Sequence, residues 1–210
     1  MIRSNRSRSG FTIIELLVGL ALIGLITMLA LPSFIGMMHN MRVRNAAESA
    51  LTGLSLARST ALQRNLRTEF LLINETADPT NVGGYVPTTT GPGWAVRIRN
   101  TNGSYSFVEA RDPQEGTNQA SGSSTPVAIA ATNLPGGNII TFSTVGQADV
   151  VAGTVAKLDF THPLAGSEDR FKCQPTGEIR CLRIEVAPSG QPRMCDPAVT
   201  DSTDTRICAP

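Results

Sequence analysis

Few residues in this chain have the type and spacing to do chemistry. Cys173, Cys181, Cys195 and Cys208 follow a C-x7-C-x13-C-x12-C pattern near the C-terminus. A zinc site is normally built from close-set cysteine pairs or from histidines beside them, and the two histidines, His39 and His162, fit no such pattern. No metal and no cofactor is therefore expected. An even number of clustered cysteines outside the reducing cytoplasm reads as two disulfides. Three pairings stay open, and each disulfide would close a short loop and contribute about 2–4 kcal/mol.

A catalytic constellation is equally hard to assemble. His39 stands beside a long apolar run and His162 lies in Thr161-His162-Pro163, where a turn or surface histidine is expected. Asp159, Glu168 and Asp169 form the nearest approach to a carboxylate cluster, but two adjacent acids close to Gly166 read as a solvated loop. No phosphate-binding glycine loop follows a strand, and no His-Glu-x-x-His pair occurs. The sequence is not that of an enzyme.

The remaining chemistry is charge. Lys and Arg number 18 against 17 Asp and Glu, a formal net charge of +1, so any binding of nucleic acid or anionic lipid must be local. Arg3, Arg6 and Arg8 crowd the first ten residues with no acid among them, and then the chain turns apolar. From Leu16 to Met38 there are 23 consecutive residues without charge, roughly 35 Å of helix, enough to cross a bilayer. The basic flank assigns the N-terminus to the cytoplasmic side. A secretory signal would place its cleavage site after the apolar run, whereas here Gly10 precedes it. Glu15 stands at the mouth of that run, where an acid is costly and usually meets a positive partner. Pro32 inside the run removes a helix hydrogen bond and is expected to kink or loosen the helix.

Gly10, Phe11 and Glu15 in this order resemble the prepilin signature of type IV pilins and type II secretion pseudopilins. The resemblance implies cleavage after Gly10 by a membrane-embedded prepilin peptidase and methylation of the new N-terminus at Phe11. It also implies an ion pair between Glu15 and the terminal amine of a neighbouring subunit, and local melting of the helix at Pro32 during assembly. A plain single-pass anchor, with Glu15 an interfacial acid, is the alternative.

Beyond His39 the pattern becomes amphipathic. Val43, Ala47, Ala50, Leu54, Ala57 and Ala61 recur at spacings of three and four, so one helix is expected to continue to about Arg67 with a small-residue face toward a sheet. Gly53 weakens that helix but permits close approach. Strands are expected at Thr68–Ile73, Trp94–Arg99, Ser104–Glu109, Val127–Ala131, Asn138–Phe142, Val155–Phe160, Ile179–Val186 and Gln191–Cys195. Loops are expected at Asp78–Gly93 and Asp112–Thr125, and Asn100-Thr101-Asn102-Gly103 is expected to turn a hairpin. The fold class is α+β: a long N-terminal helix, its first half membrane-spanning, packed on a C-terminal antiparallel sheet. The expected organisation is a leader over 1–10, a membrane and filament-core helix over 11–38, its amphipathic continuation over 39–67, and a β-rich head over 68–210.

Leu56-Ala57-Arg58-Ser59-Thr60-Ala61, Gly93-Trp94, the stretch from Ile140 to Gly146 and the terminal Gly190-Gln191-Pro192-Arg193 are similar to the GspH/FimT group of minor pseudopilins. The resemblance implies a pilin-like fold, an inner-membrane precursor with a periplasmic head, filament partners of the same kind and, after assembly, a place in an extracellular pilus. In the FimT branch a G-R-x-R pattern contacts DNA. Here Gly190 and Arg193 match and Gln191 replaces the first arginine. Arg180, Arg183 and Arg206 could supplement Arg193, although acids outnumber bases in this tail and any positive patch must come from sorting charges onto one face. Read structurally, Gly190 sits in a hairpin turn and Arg193 is a solvated strand residue. Three functions follow: a type IV pilus minor pilin with DNA capture, the H-type pseudopilin of a type II protein-export machine, or an anchored periplasmic binding domain that never polymerises.

Overall fold

The computed structural model describes residues 12–112, 127–135, 138–166 and 168–209, with backbone alone at 28–35. Gly10 and Phe11 lie outside the described residues, as does most of the polar stretch expected as a loop over Asp112–Thr125. The chain divides into two compact units after Met38. A 52-residue helix, α1 (Ile13–Arg64), contributes to both, and its helical backbone continues through Pro32. Apolar side chains of its first turns are solvent-exposed, Ile13 at 82% and Leu16 at 61%. Among the described residues no helix is long and apolar enough to cross a membrane. The expected span Leu16–Met38 includes the eight positions described by backbone alone.

In the second unit every member of the small-residue stripe is buried: Val43, Ala47, Ala50, Leu54, Ala57 and Ala61. α1 ends three residues before the expected Arg67, because Asn65 takes a left-handed φ of 52° and closes the last turn. Among the described residues nine strands follow: β1 (Arg67–Ile73), β2 (Gly93–Arg99), β3 (Tyr105–Arg111), β4 (Ala128–Thr132), β5 (Ile139–Phe142), β6 (Ala148–Asp149), β7 (Ala156–Thr161), β8 (Leu182–Val186) and β9 (Pro192–Cys195). The single sheet anticipated from the sequence is in fact two. One runs β3-β2-β1-β5-β6 and the other β4-β7-β8-β9, with antiparallel pairing throughout.

Alternation decides which side chains reach the core. Phe70, Trp94, Val96, Ile140 and Phe142 of the first sheet join Leu158, Phe160, Ile184 and Val186 of the second and the helix stripe in one cluster. The other face of the first sheet is also covered. The segment expected as a loop over Asp78–Gly93 contains a 3-10 turn, Val82–Gly84, and lays Val82 and Tyr85 on Leu71, Ile73 and Ala95. Beneath it Arg97 Nε donates to Glu69 Oε2 at 2.8 Å and Arg97 Nη1 to the Val82 carbonyl at 3.0 Å, with both charged side chains buried. The anticipated Asn100–Gly103 turn joins β2 to β3, Gly103 adopting a φ of 84°. The strand expected from Ile179 begins only at Leu182, because Ile179 bridges Cys173 and accepts the Gln174 N–H within a disulfide-closed loop.

Candidate functional site

The head is fastened to the helix at two places where only glycine fits. A Cβ on Gly53 would stand 2.8 Å from the Trp94 ring, and the indole Nε1 donates to Ser49 Oγ, one turn earlier, at 3.1 Å. At the other place the Gly146 carbonyl accepts Arg58 Nε at 3.1 Å, while Gly190, at a φ of 76°, packs directly on the same carbonyl. The turn carrying Gly190 also supplies the Pro188 carbonyl to Ala148 N–H at 3.1 Å. The segments that resembled a family, around Arg58, Gly93-Trp94, Gly146 and Gly190, thus meet in space as the joints between helix and sheets. Gly190 is accounted for by its turn and by the close approach of two backbones.

The four arginines considered for DNA contact each have a carboxylate. Arg193 Nη2 donates to Glu185 Oε2 at 2.9 Å, Arg180 Nε to Asp196 Oδ2 at 2.8 Å, Arg183 Nε to Asp159 Oδ1 at 2.6 Å, and Arg206 Nη2 to Asp204 Oδ2 at 2.6 Å. Arg206 holds the half-buried Asp204 carboxyl down to about 2, first through its side-chain hydrogen bond and next through its backbone N–H. The structure does not gather these guanidinium groups into an uncompensated patch. It sorts them onto acids from neighbouring strands and turns. Acids and bases of the tail can be counted from the sequence, but the strand pairings needed the registers Asp159–Arg183 between β7 and β8 and Glu185–Arg193 between β8 and β9.

The open cysteine pairing resolves as Cys173–Cys181 and Cys195–Cys208, with Cα–Cα distances of 5.3 and 5.0 Å. Buried Glu185 lies beside the second bridge and accepts Ala209 N–H on both oxygens at 3.0 and 3.1 Å, so carboxylate and disulfide together tie down the last described residues. Those three side chains are close enough to surround an ion, but the two sulfurs are bonded to each other and offer no thiolate.

His162, expected as a turn or surface histidine, does open a turn, its carbonyl accepting Ala165 N–H at 3.0 Å, but it is only 5% exposed and lies against His39, with Nε2 and Nδ1 3.2 Å apart. Burial, reinforced by nearby Arg42, lowers the pKa of both rings below the ordinary histidine value. No local pattern announces a pair separated by 123 positions.

In the first unit Thr12 immediately precedes α1. Its carbonyl accepts Leu16 N–H at 3.2 Å and its hydroxyl accepts Glu15 N–H at 3.3 Å, with Glu15 in the first turn. Thr-x-x-Glu is the capping-box spacing, and an acid here also suits the positive end of the helix dipole. Thr12 therefore caps the helix through its hydroxyl, and Glu15 stands at the matching capping-box position, a spacing visible in the sequence.

Residues 5–31 match the prokaryotic N-terminal methylation motif. Thr12 and Glu15 lie inside this motif, as do Gly10 and Phe11 outside the described residues. No curated protein sequence matches the chain. Two solved structures similar to it are the type IV minor pilin FimU of Pseudomonas aeruginosa and the minor pseudopilin EpsH from the Type 2 Secretion System of Vibrio cholerae. FimU shares 12% identity over 72% of this chain and 87% of its own, with a TM-score of 0.46. EpsH shares 11% over 75% of this chain and 99% of its own, with a TM-score of 0.45. The methylation motif ends at residue 31, before the stripe that begins at Val43, so the joints at Gly53 and Gly146 belong to the head and not to the motif.

Proposed function

We propose that this chain is a minor pilin or pseudopilin. Its leader, residues 1–10, is removed after Gly10 by a prepilin peptidase, the new N-terminus at Phe11 is methylated, and the apolar part of α1 then enters a filament. One conjunction carries the reading. The methylation motif over residues 5–31 opens a helix whose aliphatic side chains, among them Leu17, Leu22 and Ile26, are uncovered in the single chain. Such a surface needs apolar surroundings. The inner membrane supplies them before assembly, with the head in the periplasm, and the helices of other pilins supply them afterwards. Polymerisation rather than catalysis is the activity, and the head sets lateral contacts.

Two finer readings divide on DNA. In the type IV pilus reading a phosphate backbone reaches Gly190 and Arg193 with Arg180, Arg183 and Arg206. In the type II secretion reading the tail is structural. The four ion pairs favour the second, because a phosphate would have to displace a carboxylate at each arginine. Mass spectrometry of the processed N-terminus and a Glu15→Ala chain scored for filament incorporation test the core reading. A methylated Phe11 and lost incorporation are expected. An intact leader in a peptidase-competent host, or incorporation unchanged by Glu15→Ala, leaves a membrane-tethered binding domain instead.

A further inference from the structure

The two histidines are used by nothing in the assembly role, yet they are placed with directional care. Leu164 N–H donates to His162 Nδ1 at 3.2 Å, so that nitrogen carries a lone pair and the ring proton sits on Nε2. His162 Nε2 then donates to His39 Nδ1 at 3.2 Å, which places the proton of His39 on its own Nε2. Phe171 stacks on His162 with centroids 4.1 Å apart and meets His39 edge-on at 5.3 Å, closing the apolar side. The result is one chain of hydrogen bonds from the Leu164 backbone through both imidazoles to α1, with every proton position assigned.

We propose that His39 and His162 form a proton-operated clasp, which when neutral fastens the 162–171 segment to α1 and on protonation of either ring releases it. A second proton on His39 must go to Nδ1, where it faces the N–H of His162. A second proton on His162 must go to Nδ1, where it faces the N–H of Leu164. Either event replaces a hydrogen bond by two opposed donors and leaves a cation on the half-buried His39 or the buried His162.

The surrounding charges act in the same direction. Arg42, on the same helix, and Arg170, from the segment being fastened, both disfavour a charged ring. Glu168 favours one at His162, but its carboxylate is engaged by Arg170, whose guanidinium also lies 4.5 Å over Phe171. Burial lowers both histidines, ahead of these charges. Their unfolded value is about 6.5, so between the folded and unfolded values the opened form binds more protons. The clasp is therefore fully effective above about pH 6.5 and weakens as pH falls. Arg180 N–H, donating to Asn40 Oδ1 at 2.8 Å, is a neighbouring tie with no titrating partner and stays closed. A bridging transition metal is a poorer occupant. To offer Nε2 as a ligand His162 would have to carry its proton on Nδ1, against Leu164 N–H.

Because the sequence contains only two histidines, the full chain in detergent micelles with 15N-labelled histidine gives two resolvable rings. At about pH 7.5 both should be Nε2–H tautomers, and both should titrate below the ordinary value with mutual dependence. Amide exchange over 164–171, corrected for intrinsic rates, should accelerate on acidification to about pH 5. About tenfold is expected for each unit by which a ring titrates low. His39→Gln keeps an acceptor for His162 Nε2–H without a titrating group, and should retain protection at neutral pH while losing part of the acid response. Rings that titrate independently at ordinary values, a His162 proton on Nδ1, or unchanged exchange in the unaltered chain would overturn the proposal. So would stoichiometric zinc that perturbs both rings at neutral pH, since that would make the pair a metal site.

Discussion

Gly190 rests on the backbone carbonyl of Gly146, the oxygen that also accepts Arg58 Nε from α1. Three segments distant in sequence, the helix and the turns after β5 and β8, are joined through that one oxygen. A side chain at position 190 would have to enter the contact while also adopting a positive φ. Gly190→Ala is therefore expected to destabilise the chain by about 2–4 kcal/mol. Gln191→Arg, at the exposed neighbouring position, should be neutral within about 0.5 kcal/mol. Denaturant unfolding followed by the fluorescence of Trp94 distinguishes the two.

At the other joint the helix and the indole compete for space. Ala is the better helix former by about 1 kcal/mol, yet a Cβ on Gly53 would meet the Trp94 ring at 2.8 Å. Overpacking costs typically about 1–3 kcal/mol, so Gly53→Ala should be net destabilising. Gly53→Ala combined with Trp94→Phe should recover part of the loss, which a double-mutant cycle measures.

The proposed assembly role of Glu15 and a capping role at the helix start can be separated by substitution. In the chain alone Glu15 occupies the third position of a capping box begun by Thr12. Glu15→Gln retains a box-compatible side chain and removes only the charge. If the charge pairs with a terminal amine in the filament, Gln and Ala should both abolish incorporation. If Glu15 acts through capping alone, Gln should assemble and Thr12→Val should fail. Incorporation scored by filament shearing and immunoblotting reads the difference.

The tail arginines are expected to matter for stability and not for DNA. Removing Arg193 leaves buried Glu185, among the described residues, with Ala209 N–H alone, and removing Arg180 takes the guanidinium from buried Asp196. Each alanine variant should cost about 1–3 kcal/mol. Arg206→Ala, at a more exposed pair, should cost less. Gel-shift titration at two salt concentrations should show no arginine-dependent binding. A low-salt complex lost on Arg193→Ala would restore the DNA reading.

The two bridges differ in what they hold. Cys195–Cys208 closes a loop of 13 positions around the tail that Glu185 also grips, and Cys173–Cys181 one of 8. Replacing Cys208 by Ser should lower stability by about 3 kcal/mol and increase proteolysis of residues 196–209. Limited proteolysis with peptide mapping checks both the effect and the pairing.

Much of this was legible in the sequence, wherever the cause is local. The spacing of Val43, Ala47, Ala50, Leu54, Ala57 and Ala61 places one helical face in the core because 3.6 residues make a turn, and all six are buried. Asn100–Gly103 turns a hairpin because glycine reaches a positive φ cheaply. The order Gly10, Phe11, Glu15 announces the methylation motif through residue type alone. Tertiary structure decided what depends on distances across the chain. It divided the strands between two sheets, chose one of three disulfide pairings, and gave each tail arginine a carboxylate. It also brought His162 to His39 across 123 positions. Local periodicity records which face of an element is buried. It does not record which residue waits on the other side, because that is settled only when elements dock and every buried donor and charge must find a partner at once.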